Sequence, residues 1–126
     1  MVKLFALLRR NPEMTPDEFR THWRDHHGPL IAGTPALARH LLRYEQHVRH
    51  RPDGLSGNEG LDGVAEQWFT DISEFEGFIS EPEYLELIAP DEQRFLDMSK
   101  VEFIITEEPH VVIDRIGTDA APGVAP

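Results

Sequence analysis

The alternation of apolar and polar residues along the chain predicts a few short strands separated by helical segments. Four runs are short, rich in aliphatic and aromatic residues and bounded by turn residues, which is typical of β-strands. These runs are residues 2–9, 41–50, 63–69 and 100–106. The first carries apolar residues on both faces, which indicates a central strand that is covered on both sides. Residues 111–113 are a candidate for a short fifth strand.

Helical spacing fills the gap between the first two predicted strands. Residues 15–18 (TPDE) combine an N-cap threonine, a first-turn proline and the glutamate of a capping box. Phe19, Trp23 and His26 follow at i, i+4 and i+7, so we expect them to share one stripe of the helix. Gly28 and Pro29 are predicted to end this helix. Residues 30–38 fit either a short helix or an irregular link.

A second helical region follows the third predicted strand. Its N-cap is Asp71 or Ser73, and Pro82 is expected to break or kink it. The clearest loop is residues 51–62, because three glycines lie there among polar residues. We expect a long hairpin connection at this loop, and a lid over a pocket is the alternative.

The order of these elements predicts the fold class. The order βαββαβ is the split βαβ or ferredoxin-like pattern, an α+β fold with an antiparallel sheet and helices on one face only. The uncovered face predicts a homodimer in which two sheets face each other as a barrel. One domain is expected over residues 1–116. Residues 117–126 (GTDAAPGVAP) are predicted to be a flexible tail, because they have little apolar surface to bury.

Composition narrows the chemistry that this fold can support. A length of 126 residues fits one domain, and the absence of cysteine excludes disulfides and thiolate nucleophiles. The sequence has no P-loop, no dinucleotide glycine fingerprint and no GxSxG, so we expect no cofactor. Histidine, tyrosine and carboxylates are left as reactive groups, and six of the seven histidines lie between residues 22 and 50.

Charge and hydropathy bear on partners and location. The formal charge of −11 is uneven, because residues 1–51 carry nine Lys/Arg and five Asp/Glu whereas residues 52–126 carry three and 18. A field this negative argues against nucleic-acid binding. No apolar run approaches the length of a membrane span, and no signal peptide is visible. We therefore expect a cytoplasmic protein that binds neither nucleic acid nor membrane.

Three segments carry a family resemblance. The first segment is the strand of residues 2–9 followed by MTPDEFR (residues 14–20), Trp23 and HHGPL (residues 26–30). The second segment is PAL (residues 35–37), which leads to Arg43 and Tyr44. The third segment is DGVAEQWF (residues 62–69), which precedes an acidic helix. In this order and spacing they resemble the EthD family of dimeric α+β barrel proteins. The chain is also similar to methylmuconolactone methylisomerases. Relatives are linked to ether degradation, lactone isomerisation and dehydration or cyclisation of polyketides, so the resemblance implies a fold more firmly than a reaction.

His27 and Tyr44 are the candidate catalytic residues. Histidine changes charge near neutral pH, and the predicted helix end would favour the protonated form of His27. By resemblance, His27 occupies the position of the family's helix-end histidine, which acts on substrate in the isomerase relatives; the alternative is a helix cap. A tyrosine hydroxyl on a strand can donate to a carbonyl or stabilise an enolate, and the alternative for Tyr44 is an ordinary cross-strand aromatic residue.

Further residues are candidates for substrate binding. They are Trp68, Trp23, His22, His26, His40 and Glu66. The tryptophans are predicted to be pocket walls or core, His40 to lie at a pocket entrance, and Glu66 to be a second carboxylate base. His22 and His26 have the spacing that lets two imidazoles share a metal, but no local pattern supplies a third ligand, so we predict no metal site.

The sequence therefore favours a cofactor-independent enzyme of the isomerase, cyclase or dehydratase type. Its substrate would be a small apolar carbonyl compound, a lactone or a polyketide. His27 would move a proton, and Tyr44 would hold the developing oxyanion. The alternative is a ligand-binding or accessory protein of an oxidative degradation pathway, without turnover of its own.

Overall fold

The computed structural model describes residues 1–56 and 60–117, and its strands form one antiparallel sheet. The strands are β1 (Val2–Leu8), β2 (Arg43–Val48), β3 (Gly63–Phe69) and β4 (Glu102–Thr106). They are arranged in the order β2-β3-β1-β4, so β1 is central, as predicted. Together with the order of the helices, this confirms the ferredoxin-like α+β fold.

Five α-helical segments and two π-helical segments connect the strands. The α-helices are α1 (Pro16–His22), α2 (Gly28–Ala32), α3 (Pro35–Ala38), α4 (Ile72–Ser80) and α5 (Ala89–Phe95). The first π-helical segment (Trp23–His27) joins α1 to α2 without a break, and the second (Tyr84–Ile88) runs directly into α5. π-helical turns are rare in proteins overall, and those that occur are frequently found at functional sites.

The first helix begins where the sequence predicts but does not end there. The Thr15 hydroxyl accepts from the Glu18 backbone N–H at 3.1 Å, and the Glu18 carboxylate accepts from the Thr15 N–H at 2.9 Å, which completes the capping box. The predicted end at Gly28 and Pro29 is wrong, because the helix continues to Ala32. Pro29 is tolerated in the first turn of α2, where hydrogen bonding changes from π-helical to α-helical spacing and a missing N–H is least costly.

The π-helical segment also changes which side chain faces the core. His26 was expected to share a stripe with Phe19 and Trp23, but its side chain is 52% exposed. His27 is buried instead. The extra residue in each π-helical turn rotates the following positions around the helix axis, so the core-facing position moves from His26 to the next residue.

The second helical region follows the prediction more closely. The Asp71 side chain is the N-cap of α4 and accepts from the Glu74 N–H at 3.1 Å, and α4 ends at Ser80, before Pro82.

The expected strand at residues 111–113 is wrong. These residues form no ladder with β4 or with any other described strand, and Val112 is 83% exposed.

All described helices pack on one face of the sheet. Leu4, Ala6 and Leu8 of β1 and Phe69 of β3 point to that face, where they contact buried aromatic and aliphatic side chains of the helices. The other face carries the alternate residues and has no helix against it among the described residues.

Of the predicted tail, only Gly117 lies within the described residues, and Gly57 of the loop lies outside them. No described helix has the length and apolarity needed to cross a membrane.

Candidate functional site

A cavity of about 420 Å³ lies between the sheet and the helices. This volume is in the range of small-molecule binding sites. Its walls are mostly aliphatic and aromatic side chains of the two core clusters. Besides Trp23, five residues with polar side-chain atoms also line the cavity: His27, Tyr44, Gln67, Tyr84 and Glu92. The two predicted catalytic residues thus face one cavity.

His27 is held by a buried carboxylate. Its Nδ1 lies 2.8 Å from Oδ2 of Asp91, a fully buried residue in the first turn of α5. Burial alone would raise the pKa of Asp91, but the hydrogen bonds with His27 and His22 outweigh it and hold this pKa below its usual value. The ionised carboxylate can only accept, so His27 Nδ1 must donate and the other ring nitrogen, Nε2, carries the free lone pair.

The charge state of His27 differs from the sequence-based expectation. Burial lowers the pKa of His27, although the hydrogen bond with Asp91 opposes this shift. The expected helix terminus is absent, because the helix runs on through α2, so no carbonyl dipole end is available to favour the cation. The buried imidazole is therefore neutral near pH 7 and suited to accept a proton.

Tyr44 presents a hydroxyl whose oxygen is already hydrogen-bonded. The side-chain amide of Gln46 donates to the Tyr44 oxygen at 3.1 Å and to the Trp23 carbonyl at 2.9 Å. Burial raises the pKa of Tyr44, and hydrogen bonds from the Gln46 and Trp23 side chains offset part of that rise. The phenol stays protonated at neutral pH, and because its oxygen accepts from neighbouring donors, its own proton is available to donate to a ligand.

Glu92 and Tyr84 form a second polar group in the cavity. The Tyr84 hydroxyl lies 3.1 and 3.2 Å from the two Glu92 carboxylate oxygens. Burial, with a smaller contribution from the Asp91 charge, raises the pKa of Glu92 to about 7. Burial and the Glu92 charge also raise the pKa of Tyr84. Glu92 can therefore give or take a proton near neutral pH.

Two of the predicted binding residues lie on the opposite face of the sheet. Trp68 and Glu66 alternate with Gln67 on β3, and Gln67 points into the cavity. The Trp68 indole N–H donates to Glu66 at 2.6 Å, and the Lys3 ammonium lies 4.1 Å from the centre of the Trp68 ring. Neither Trp68 nor Glu66 lines the cavity, because neighbouring residues of a strand face opposite sides.

The remaining predicted residues surround the cavity at different depths. Trp23 is buried and forms part of the cavity wall. His22 and His26 lie on the outer side of Asp91 and contact its other oxygen, at 2.8 and 3.2 Å. His40 is buried away from the cavity, with its ring nitrogens 2.8 Å from Glu74 and 2.9 Å from Glu81.

Sequence reasoning missed three residues of the second helical region that contribute to the site. Tyr84 and Glu92 line the cavity, and Asp91 is the hydrogen-bond partner of His27. The available signal was Tyr84 followed eight positions later by Glu92, a spacing close to two helical turns, with Phe95 at a core position next to it.

The sheet order and the helices on one face define a ferredoxin-like domain, and a cavity lined partly by polar groups lies between the sheet and the helices. The model of the EthD domain matches residues 11–99 of this chain. The chain belongs to the EthD family. No functionally curated protein matches the sequence significantly.

Solved structures share this fold at low sequence identity. An EthD family protein from Bacillus halodurans C-125 aligns with a TM-score of 0.63 and 24% identity, over 86% of this chain and 99% of that one. A dimeric ferredoxin-like protein of unknown function from Bacteroides fragilis NCTC 9343 gives 0.62 and 13%, over 85% and 95%. SnoaB, a cofactor-independent oxygenase from Streptomyces nogalater, gives 0.60 and 15%, over 90% and 97%. At these identities the comparisons establish the fold.

Proposed function

We propose that this protein is a cofactor-independent enzyme that moves a proton on a small apolar carbonyl compound. The observation that carries the proposal is the pair formed by His27 and Asp91 at the wall of the cavity, with Nδ1 and Oδ2 2.8 Å apart. The carboxylate fixes the ring orientation and the tautomer, so His27 Nε2 is the general base. The substrate is of the lactone or polyketide type, and the reaction is an isomerisation, cyclisation or dehydration.

Tyr44 supplies the second half of this mechanism. When His27 removes a proton next to a carbonyl, negative charge develops on the carbonyl oxygen. The Tyr44 phenol donates a hydrogen bond to that oxygen, and Gln46 fixes the phenol through its own bond of 3.1 Å. Such a donor is most effective where little water is present, and most of the cavity wall is formed by apolar side chains.

The protein is also proposed to act as a homodimer. Phe5 and Leu7 of β1, Val64 of β3 and Ile104 of β4 lie on the face without helices, as the strand register indicates. Ile104 is 55% exposed. The Bacteroides fragilis structure of the same fold is described as dimeric, which supports a second copy as the cover for this face.

Turnover of a substrate panel tests the proposed function. Lactones and polyketide-type carbonyl compounds are incubated with the wild type, His27→Ala, Tyr44→Phe and the control His47→Ala, whose side chain is exposed on the opposite sheet face. We expect kcat to fall by roughly 10²–10⁴ for His27→Ala and 10²–10³ for Tyr44→Phe, with His47→Ala unchanged. Unchanged turnover by His27→Ala on a confirmed substrate overturns the proposal, and tight binding without turnover favours the accessory-protein alternative.

A further inference from the structure

Two potential metal ligands of the first helical region, His22 and His26, meet a third, Asp91 of α5, on the outer side of Asp91. His22 Nε2 lies 2.8 Å and His26 Nε2 lies 3.2 Å from Asp91 Oδ1. The ligand atoms of all three residues lie within 4.8 Å of one another. Asp91 is thus the third ligand that no local sequence pattern supplies for the two histidines.

We propose that His22, His26 and Asp91 form a mononuclear site for a divalent transition metal ion of the Zn²⁺ type. Tetrahedral zinc with bonds of ~2.1 Å places neighbouring ligand atoms about 3.4 Å apart. The two nitrogen–oxygen distances here, 2.8 and 3.2 Å, are shorter than this by about 0.6 and 0.2 Å. Small rotations of the His22 and His26 rings therefore make room for the ion, which replaces the protons between the ring nitrogens and Asp91 Oδ1.

The donor set suits such an ion. Two imidazole nitrogens and one carboxylate oxygen are typical ligands of zinc and of first-row metals, whereas magnesium and calcium favour oxygen alone. Asp91 binds through Oδ1 only, because Oδ2 is hydrogen-bonded to His27 Nδ1 at 2.8 Å. That second bond fixes the ligating carboxylate, as the outer partners of metal ligands do. His26 is 52% exposed, so solvent can reach the site and complete the coordination.

One cation competes with a metal at this position. Arg94 Nη1 lies 3.6 Å from Asp91 Oδ1, but the Arg94 side chain is 65% exposed and can move into solvent at little cost. A second cluster, formed by Glu45, His47 and Glu66, is a weaker candidate. Arg43 donates two hydrogen bonds to Glu45 Oε2, and the Lys3 ammonium lies 3.8 Å from Glu66 Oε2, so both carboxylates of that cluster already have a cationic partner.

The proposed metal and the proposed catalytic base use different oxygens of Asp91. The ion binds on the solvent side and joins α1 and the first π-helical segment to α5. Its binding therefore does not require that the protein be an enzyme. Because the two histidines and Asp91 are distant in sequence and come together only in the folded chain, the ion stabilises the folded state.

Calorimetric titration of chelator-treated protein with Zn²⁺ tests the site. We expect one ion per chain and a rise in Tm in excess Zn²⁺. His26→Ala and His22→Ala should each weaken binding at least tenfold. His26 is the primary target, because an exposed side chain can be removed without loss of the fold, which circular dichroism checks. The control His47→Ala, in the weaker cluster, should bind Zn²⁺ like the wild type.

Co²⁺ provides a spectroscopic readout at the same site. The wild type should show the visible absorption of four-coordinate Co²⁺, and His26→Ala should lose it. The proposal is overturned if the wild type binds no Zn²⁺, if His26→Ala and His22→Ala bind as tightly as the wild type, or if His47→Ala is the variant that loses binding. None of these results bears on turnover.

Discussion

At the scale of single residues, burial controls the chemistry of the cavity. Glu92 lies between apolar walls, the Tyr84 hydroxyl donates a hydrogen bond to it, and burial raises the pKa of Glu92 to about 7. His27 is shifted in the opposite sense for the same reason, because burial disfavours the charged form of either group. A neutral base and a carboxyl group that titrates near neutrality therefore line one cavity.

The raised pKa of Glu92 predicts a pH-dependent stability. The folded protein binds the Glu92 proton more tightly than the unfolded chain does. The resulting contribution to the free energy of unfolding is complete below the ordinary pKa of glutamate and is lost as pH rises through about 7. Between pH ~5 and ~8, the unfolding free energy of the wild type should fall relative to Glu92→Gln. Urea denaturation in chelator-containing buffers measures the difference. Glu86→Gln, at an exposed position, is the control, and a difference that does not change with pH contradicts the prediction.

The sequence predicted His27 and Tyr44 but not the residue that controls His27. Asp91 is 64 positions away in the chain and has no motif around it. Its role depends on how α5 packs against the first π-helical segment, which is a tertiary property. Glu66 and Trp68 were expected to bind substrate, but they lie on the sheet face opposite Gln67 and the cavity. The alternation along a strand separates its residues into two faces but does not tell which face meets the helices.

At the scale of elements, the two π-helical segments position the site. His27 is the last residue of the first segment, and Asp91 lies three residues after the end of the second. Sequence periodicity assumes 3.6 residues per turn, so it placed His26 on the stripe of Phe19 and Trp23 and did not anticipate the π-helical turn that buries His27. The capping signals were reliable because they depend only on residues within one turn, as at Thr15 and Asp71.

A close contact between α4 and His40 predicts how a substitution at Gly77 of α4 changes the stability of the protein. A Cβ at Gly77 would lie 2.8 Å from His40 Cε1, and the ring is held between Glu74 and Glu81. Gly77→Ala should therefore destabilise the protein by about 1–2 kcal/mol, although alanine favours a helix by up to ~1 kcal/mol. Thermal or urea unfolding measures the change.

The His40→Ala background is the matched control for this contact. Once the ring is removed, Gly77→Ala should be neutral or stabilising, because only the helix propensity remains. Equal destabilisation in both backgrounds would show that the ring is not the cause.

At the scale of the whole molecule, the sheet has one face buried by helices and one face without them. The order of predicted elements was sufficient for the ferredoxin-like topology, because a βαββαβ chain with short connections has few compact arrangements. The cavity could not be predicted, since its volume depends on how completely side chains from two helical regions fill the space above the sheet.

The uncovered face predicts the oligomeric state. Size exclusion with light scattering at micromolar concentration should give twice the chain mass of 14.4 kDa. Ile104→Lys, on the uncovered face, should shift the protein towards the monomer, because it places a charge in an apolar interface. Val112→Lys, at an exposed residue outside the sheet, should remain dimeric. A wild type that is monomeric under these conditions contradicts the prediction.

His27 is proposed to remove a proton from a carbon atom next to a carbonyl group. Deuterium exchange at that carbon tests this role, monitored by NMR in D₂O on a carbonyl ligand that binds the cavity. We expect wild type and His47→Gln to catalyse exchange at the same rate, and His27→Gln to be slower by roughly 10²–10⁴. Exchange by His27→Gln at the wild-type rate would show that His27 is not the base.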